Sequence, residues 1–110
     1  MSRELVILAE GEPSPEDWTA AATPLIGGGD VVRFAGDLRH MVDLEGNTVV
    51  SWWPARTLDA RREVVAELGE DARTVRVWVD VSLPHTENPI GLQVARAVTA
   101  RVAGTLIERT

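Results

Sequence analysis

Every second residue from Val75 to Leu83 is aliphatic: Val75, Val77, Val79, Val81 and Leu83, with Thr74, Arg76, Trp78, Asp80 and Ser82 in register beside them. Successive strand residues point to opposite sides of a sheet, so Arg73–Leu83 reads as a half-buried strand with one valine face and one polar face. Leu5–Ala9 is a continuous apolar run, as in a strand buried on both faces. Between them Asp30–Ala35 alternates. So do Arg39–Leu44 and Thr48–Trp53, which the Glu45-Gly46-Asn47 loop joins as a hairpin. Thr105–Glu108 reads as a last strand, with continuation of the preceding helix to Ile107 as the alternative.

Three helices interleave with these strands. Ser14, Pro15 and Asp17 form a start signal: a hydroxyl cap, proline at the first helical position and an acid at capping-box spacing. Trp18, Ala21, Ala22 and Leu25 then share one face. Pro24 is expected to end this helix near Thr23, with Gly27–Gly29 as a turn. The second helix is expected over Thr57–Leu68, capped by Thr57 and closed by Gly69. The third starts at Asn88-Pro89 and ends at Gly104. The order predicts one α+β domain over residues 1–110. Its architecture is a two-layer sandwich with a mixed, mostly antiparallel sheet of about five to six strands and three helices. A ferredoxin-like core with an added hairpin is one topology that fits.

Composition narrows the chemistry. There is no cysteine, which removes disulfides, thiolate nucleophiles and Cys-ligated zinc. All 11 basic residues are arginine, so Schiff-base and P-loop lysines are excluded. The net charge of -6 opposes nucleic-acid binding and suits a basic protein partner. The Arg, Ala and Val bias suggests a GC-rich, bacterial genome. The N-terminal apolar run is too short for a signal peptide, and no run approaches the ~18 residues of a membrane span, so the cytoplasm is the expected location.

Two histidines and one acidic cluster are the candidate polar sites. His85, followed by Glu87, lies after the key strand and near Asp80, where a His–carboxylate pair can transfer protons. His-Thr-Glu also has the His-x-Glu form of zinc deaminases, but their Cys-x-x-Cys partner is missing. His40 alternates with Val42 and reads as a sheet residue. Glu10, Glu12, Glu16 and Asp17 gather at the start of the first helix, where acids complement its dipole. None of these reaches a catalytic constellation, and no metal or cofactor is implied.

The tryptophans carry the remaining functional weight. Trp52 and Trp53 are adjacent in a strand and must diverge, and Trp78 lies on the polar face of the key strand. With helices on one side only, the other side displays Trp78, one of Trp52 and Trp53, Arg76 and Asp80. Trp and Arg are favoured at protein-contact hot spots. Burial of these rings under a further layer, and homodimerisation through them, are the alternatives. The leading expectation is a non-catalytic protein-binding domain contacting its partner through Trp78, Arg76, Asp80 and Trp53, with Glu12 and Asp17 as a second patch. In size, charge and build, though not in any motif, the chain resembles bacterial immunity proteins, which neutralise a cognate toxin. The rival is a small-molecule-binding domain or small enzyme with a pocket between sheet and helices.

Overall fold

The computed structural model describes residues 3–33, 35–57, 75–84 and 89–109. In chain order the elements are β1 (Arg3–Ala9), α1 (Pro15–Ile26), β2 (Asp30–Arg33), a 3-10 turn (Ala35–Asp37), β3 (Arg39–Val42), β4 (Thr48–Trp52), β5 (Arg56–Thr57), β6 (Val77–Leu83), α2 (Ile90–Arg101) and β7 (Thr105–Glu108). The strands form one sheet in the order β2-β3-β4-β6-β1-β7, with β5 also paired to β6. Every pairing is antiparallel, so the fold is α+β on an antiparallel sheet rather than a mixed one. Strand β1 lies between β6 and β7, which therefore run in the same direction on either side of it.

Among the described residues there are seven strands and two α-helices. The seventh strand is the two-residue β5, too short to show an alternation. Thr57, expected as a helix cap, instead pairs with Val77. The helix expected after it lies outside the described residues; the last helix starts at Ile90 with Pro89 at its cap and no side-chain cap hydrogen bond, one residue later than the expected Asn88 cap with Pro89 as the first helical position. The key strand is described as β6 from Val77.

The valine face behaves as its alternation demands. Leu5 pairs with Val81 and Ile7 with Val79, and Leu83 lies farther along the same face. All are buried in one cluster with Trp18, Ala21 and Ala22 of α1 and Val94, Ala95 and Val98 of α2. Each such aliphatic side chain stabilises the fold by roughly 1.5–3 kcal/mol. Small residues on the helices allow close approach. The limit is Gly91, where a Cβ would lie 2.3 Å from the Val49 carbonyl oxygen. Val49 is itself the extra residue of a bulge, because Met41 pairs with Val50 and Val42 with Thr48.

Helix α1 has the expected capping box. The Asp17 amide donates to Ser14 Oγ (3.1 Å), and the Ser14 amide donates to Asp17 Oδ2 (2.9 Å). The helix does not stop near Thr23, however. It runs through Pro24 to Ile26 and closes on left-handed Gly27 (φ 74°), whose N–H donates to Thr23 O. In the last turn proline removes only one helical hydrogen bond, so the helix survives it. Helix α2 ends at Arg101, short of Gly104, because Ala103 turns left-handed (φ 51°). The chain then enters β7, so the strand reading of Thr105–Glu108 holds.

Candidate functional site

The four tryptophans occupy three environments. Trp52 pairs with Val81 and so shares the helix-facing side. There it stacks on Trp18 with ring centroids 3.9 Å apart and planes 5° from parallel. Trp78 points to the other side, yet it is only 7% exposed, beside buried Val6 and Leu8 and half-buried Val75 and Ile107. Trp53 is 44% exposed. It follows the last residue of β4, donates its amide to Asp80 O (3.0 Å) and rests its ring against Gly36, where a Cβ would lie 3.7 Å from the ring.

The expectation that Trp78 is displayed is therefore corrected. Its indole N–H donates to Asp80 Oδ1 (2.9 Å). The guanidiniums of Arg56 and Arg109 lie 5.3 and 5.2 Å from the ring centroid, within cation–π range. Arg56 also pairs with Asp80 (3.3 Å). Hydrophobic side chains from β1 and β7 and long arginines from β5 and the C-terminal end meet at one ring, so a residue on the polar parity becomes a second, smaller core. Arg76 is exposed at the entrance to β6, where its amide donates to Ala9 O.

The acidic residues separate. Glu12 Oε2 accepts the Ala55 amide (3.2 Å), which ties the loop before α1 to the segment after Trp53. Asp17 is engaged elsewhere, in the capping box and with Arg101 of α2 (3.3 Å). The Ser14 amide above all, and then its hydroxyl and Arg101, hold the Asp17 carboxyl below its ordinary pKa against the opposing effect of burial.

His40 is half-buried in β3, on the side away from the helices, with Nδ1 2.6 Å from Ser51 Oγ. His85 and Glu87 lie outside the described residues. Among the described residues no group of three or more His, Asp and Glu is placed to hold a metal ion.

Two contributors were missed from the sequence. Arg39 pairs with Trp52 across the β3–β4 hairpin, so register alone would have placed it beside the tryptophans. Pro54 follows Trp53 at the end of the hairpin's second arm. With Glu12, Pro13, Trp18, Trp53 and Ala55, these two residues line a small cavity at the edge of the Trp18–Trp52 stack. Arg3, Arg33, Arg56 and Arg101 have carboxylate partners; half-buried Arg39 has none among the described residues.

A larger cavity of about 410 Å³ opens where the end of α1, the β3–β4 turn and the start of α2 meet, lined by Ile26, Asp43, Glu45, Asn47 and Ile90 among others. No described helix is long and apolar enough to cross a membrane. No family model matches the chain, and neither a curated protein nor a solved structure matches it.

Proposed function

We propose that the chain is a non-catalytic domain that binds another protein, with Trp53 at the centre of the contact. The observation that carries this is the 44% exposure of Trp53, in a chain whose other three tryptophans are buried, with Glu12, Arg39 and Pro54 about the same cavity. An exposed tryptophan whose amide is bonded to Asp80 O and whose ring lies near Gly36, with Glu12 and Arg39 close by, has the character of a hot-spot anchor. Arg76 and the Asp80–Arg56 pair extend the patch along β6; Trp78 contributes by holding Asp80 and Arg56 in place. The net charge of -6 favours a basic partner through faster encounter. Immunity-like neutralisation of a toxin in a bacterial cytoplasm is the specific form of this reading. Its frame is read as a ferredoxin-like core of β1, β4, β6 and β7 with α1 and α2, to which β2 and β3 add the edge.

The test compares proteins retained by the wild type and by Trp53→Ala from the native source. A partner captured by the wild type and lost by the folded variant is the expected result; equal capture contradicts the reading. Homodimerisation through the same patch would appear as a mass that falls on dilution in light scattering. A second reading, small-molecule binding, is favoured by the cavity of about 410 Å³, whose size suits a small ligand. It is tested by whether Thr48→Trp, which adds bulk at the wall of that cavity, abolishes a ligand-induced rise in melting temperature in a metabolite screen.

A further inference from the structure

The sheet order leaves β2 and β7 as its two outer strands. The outer flank of such a strand presents backbone N–H and C=O groups at alternate residues with no ladder partner, a template for one more strand. The two edges differ in how their charges are used. At β7, Glu108 pairs with Arg3, and Arg109 just beyond it lies over Trp78. At β2, Arg33 is taken up by Asp37, but exposed Asp30 has no ion-pair partner among the described residues. An open groove of about 460 Å³ lies between this strand and α1, lined by Glu16, Thr19 and Ala20 of the helix and by Gly29, Asp30 and Val31. Glu16 is likewise exposed and without an ion pair among the described residues. Val31 packs against the helix-side core, so by alternation Asp30 and Val32 face the other side, where Val32 is 37% exposed. One unpaired acid on each side of the sheet, and one uncovered valine, thus flank the β2 edge.

We propose that the β2 edge takes an extended segment of a basic polypeptide as an added strand. The backbone of that segment pairs with the outward groups of β2, and its side chains alternate between the two sides of the sheet. The residue across from Asp30 shares its side, so Arg or Lys there forms an opposite-charge cross-strand pair. The next residue stands over the groove, where the stem of an Arg or Lys rests on Ala20 and Thr19 and its cation is drawn toward Glu16. A second copy of the chain is the poorer occupant, because it brings the same acids and a net charge of -6. Trp53 is not among these residues, so this second surface does not rest on the Trp53 contact.

The test titrates the isotope-labelled full chain, followed by NMR, with the peptide acetyl-Thr-Val-Arg-Arg-Val-Thr-amide, whose adjacent arginines place a cation on each side of an added strand. Amide resonances of residues 29–33 and of the first turns of α1 should shift and saturate. The same peptide with Glu-Glu at its centre should leave them in place. N-methylation of the alternate peptide nitrogens that face β2 should weaken binding by about tenfold, and methylation of the other set much less, because strand pairing has a period of two and charge attraction has none. Glu16→Gln combined with Asp30→Asn, both at exposed positions, should also weaken it by about tenfold. No shift at β2, an equal response to the acidic peptide, an equal effect of the two methylated sets, or unchanged affinity in the double variant each overturns the site. Changes at β2 that grow with protein concentration in the absence of peptide would make a second copy the occupant and overturn it too. If the peptide behaves as expected while Trp53→Ala keeps its partner, the β2 site stands and the Trp53 contact fails.

Discussion

The two faces of the sheet share strands but not a manner of burial. On the helix side, Leu5, Ile7, Val79 and Val81 lie beneath α1 and α2 in a continuous apolar cluster. On the other side the next residues along, Val6, Leu8 and Trp78, are as well buried but form a small island. Around that island stand Arg56 and Arg109 over the Trp78 ring and Asp80 on its N–H; farther along the same side is the His40–Ser51 pair. The first face is covered by whole elements that periodicity reveals. The second is closed in part by individual long side chains, and no period marks those. Alternation thus gives the side a residue points to, but not whether that side is open.

Substitutions at matched positions sharpen this contrast. Ile7 and Leu8 are both fully buried and point to opposite faces. If both faces are cores, Ile7→Ala and Leu8→Ala should each lose about 2–5 kcal/mol in urea unfolding. A loss under about 1 kcal/mol for Leu8→Ala alone would mean that the second face is only a surface. Trp78→Ala should cost about 3–5 kcal/mol on the same grounds. Its effect on a partner would then be read through lost structure, which makes it a poor test of contact.

Gly91→Ala probes the packing of α2 on β4. A Cβ would lie 2.3 Å from the Val49 carbonyl oxygen, so helix or strand must shift, with an expected loss of about 1–3 kcal/mol. A neutral or stabilising result would show that this approach is looser than described.

The cap of α1 gives a smaller, pH-dependent effect. Ser14→Ala should cost about 1 kcal/mol in thermal or urea unfolding. Asp17 has a folded pKa depressed from 3.8. Its stabilisation is therefore present above that ordinary value and is lost as pH falls through the lowered one. In acid titrations followed by circular dichroism, Asp17→Asn should be less stable than the wild type at neutral pH, and the gap should close below about pH 3.8. A gap independent of pH would remove the ionised carboxylate from the account.

Much of the architecture was legible because local signals agreed with one another. Ser14, Pro15 and Asp17 announced α1, the valines announced β6, and the Glu45–Asn47 loop announced the β3–β4 hairpin. Boundaries failed where a local rule met a tertiary contact. Pro24 was absorbed by a last turn that closes on Gly27. Thr57 was drawn into pairing with Val77. The candidate site was half legible: divergence of Trp52 and Trp53 follows from adjacency, but which of them is exposed depends on the pairing of Trp52 with Val81. Closure over Trp78 depends in part on Arg56 and Arg109, which lie 22 and 31 residues away in sequence and carry no mark of their destination.

Trp53→Ala should have the smallest effect on stability, within about 1 kcal/mol, because the ring is already half in solvent. The same exposure makes tryptophan fluorescence the most direct measurement of the central claim, that Trp53 is displayed and Trp78 is core. In the wild type one emission component should be red-shifted and quenched by acrylamide. Replacing Trp53 with Phe should remove that component and leave a blue-shifted, shielded remainder. An accessible component that survives Trp53→Phe and disappears in Trp78→Phe would contradict the account.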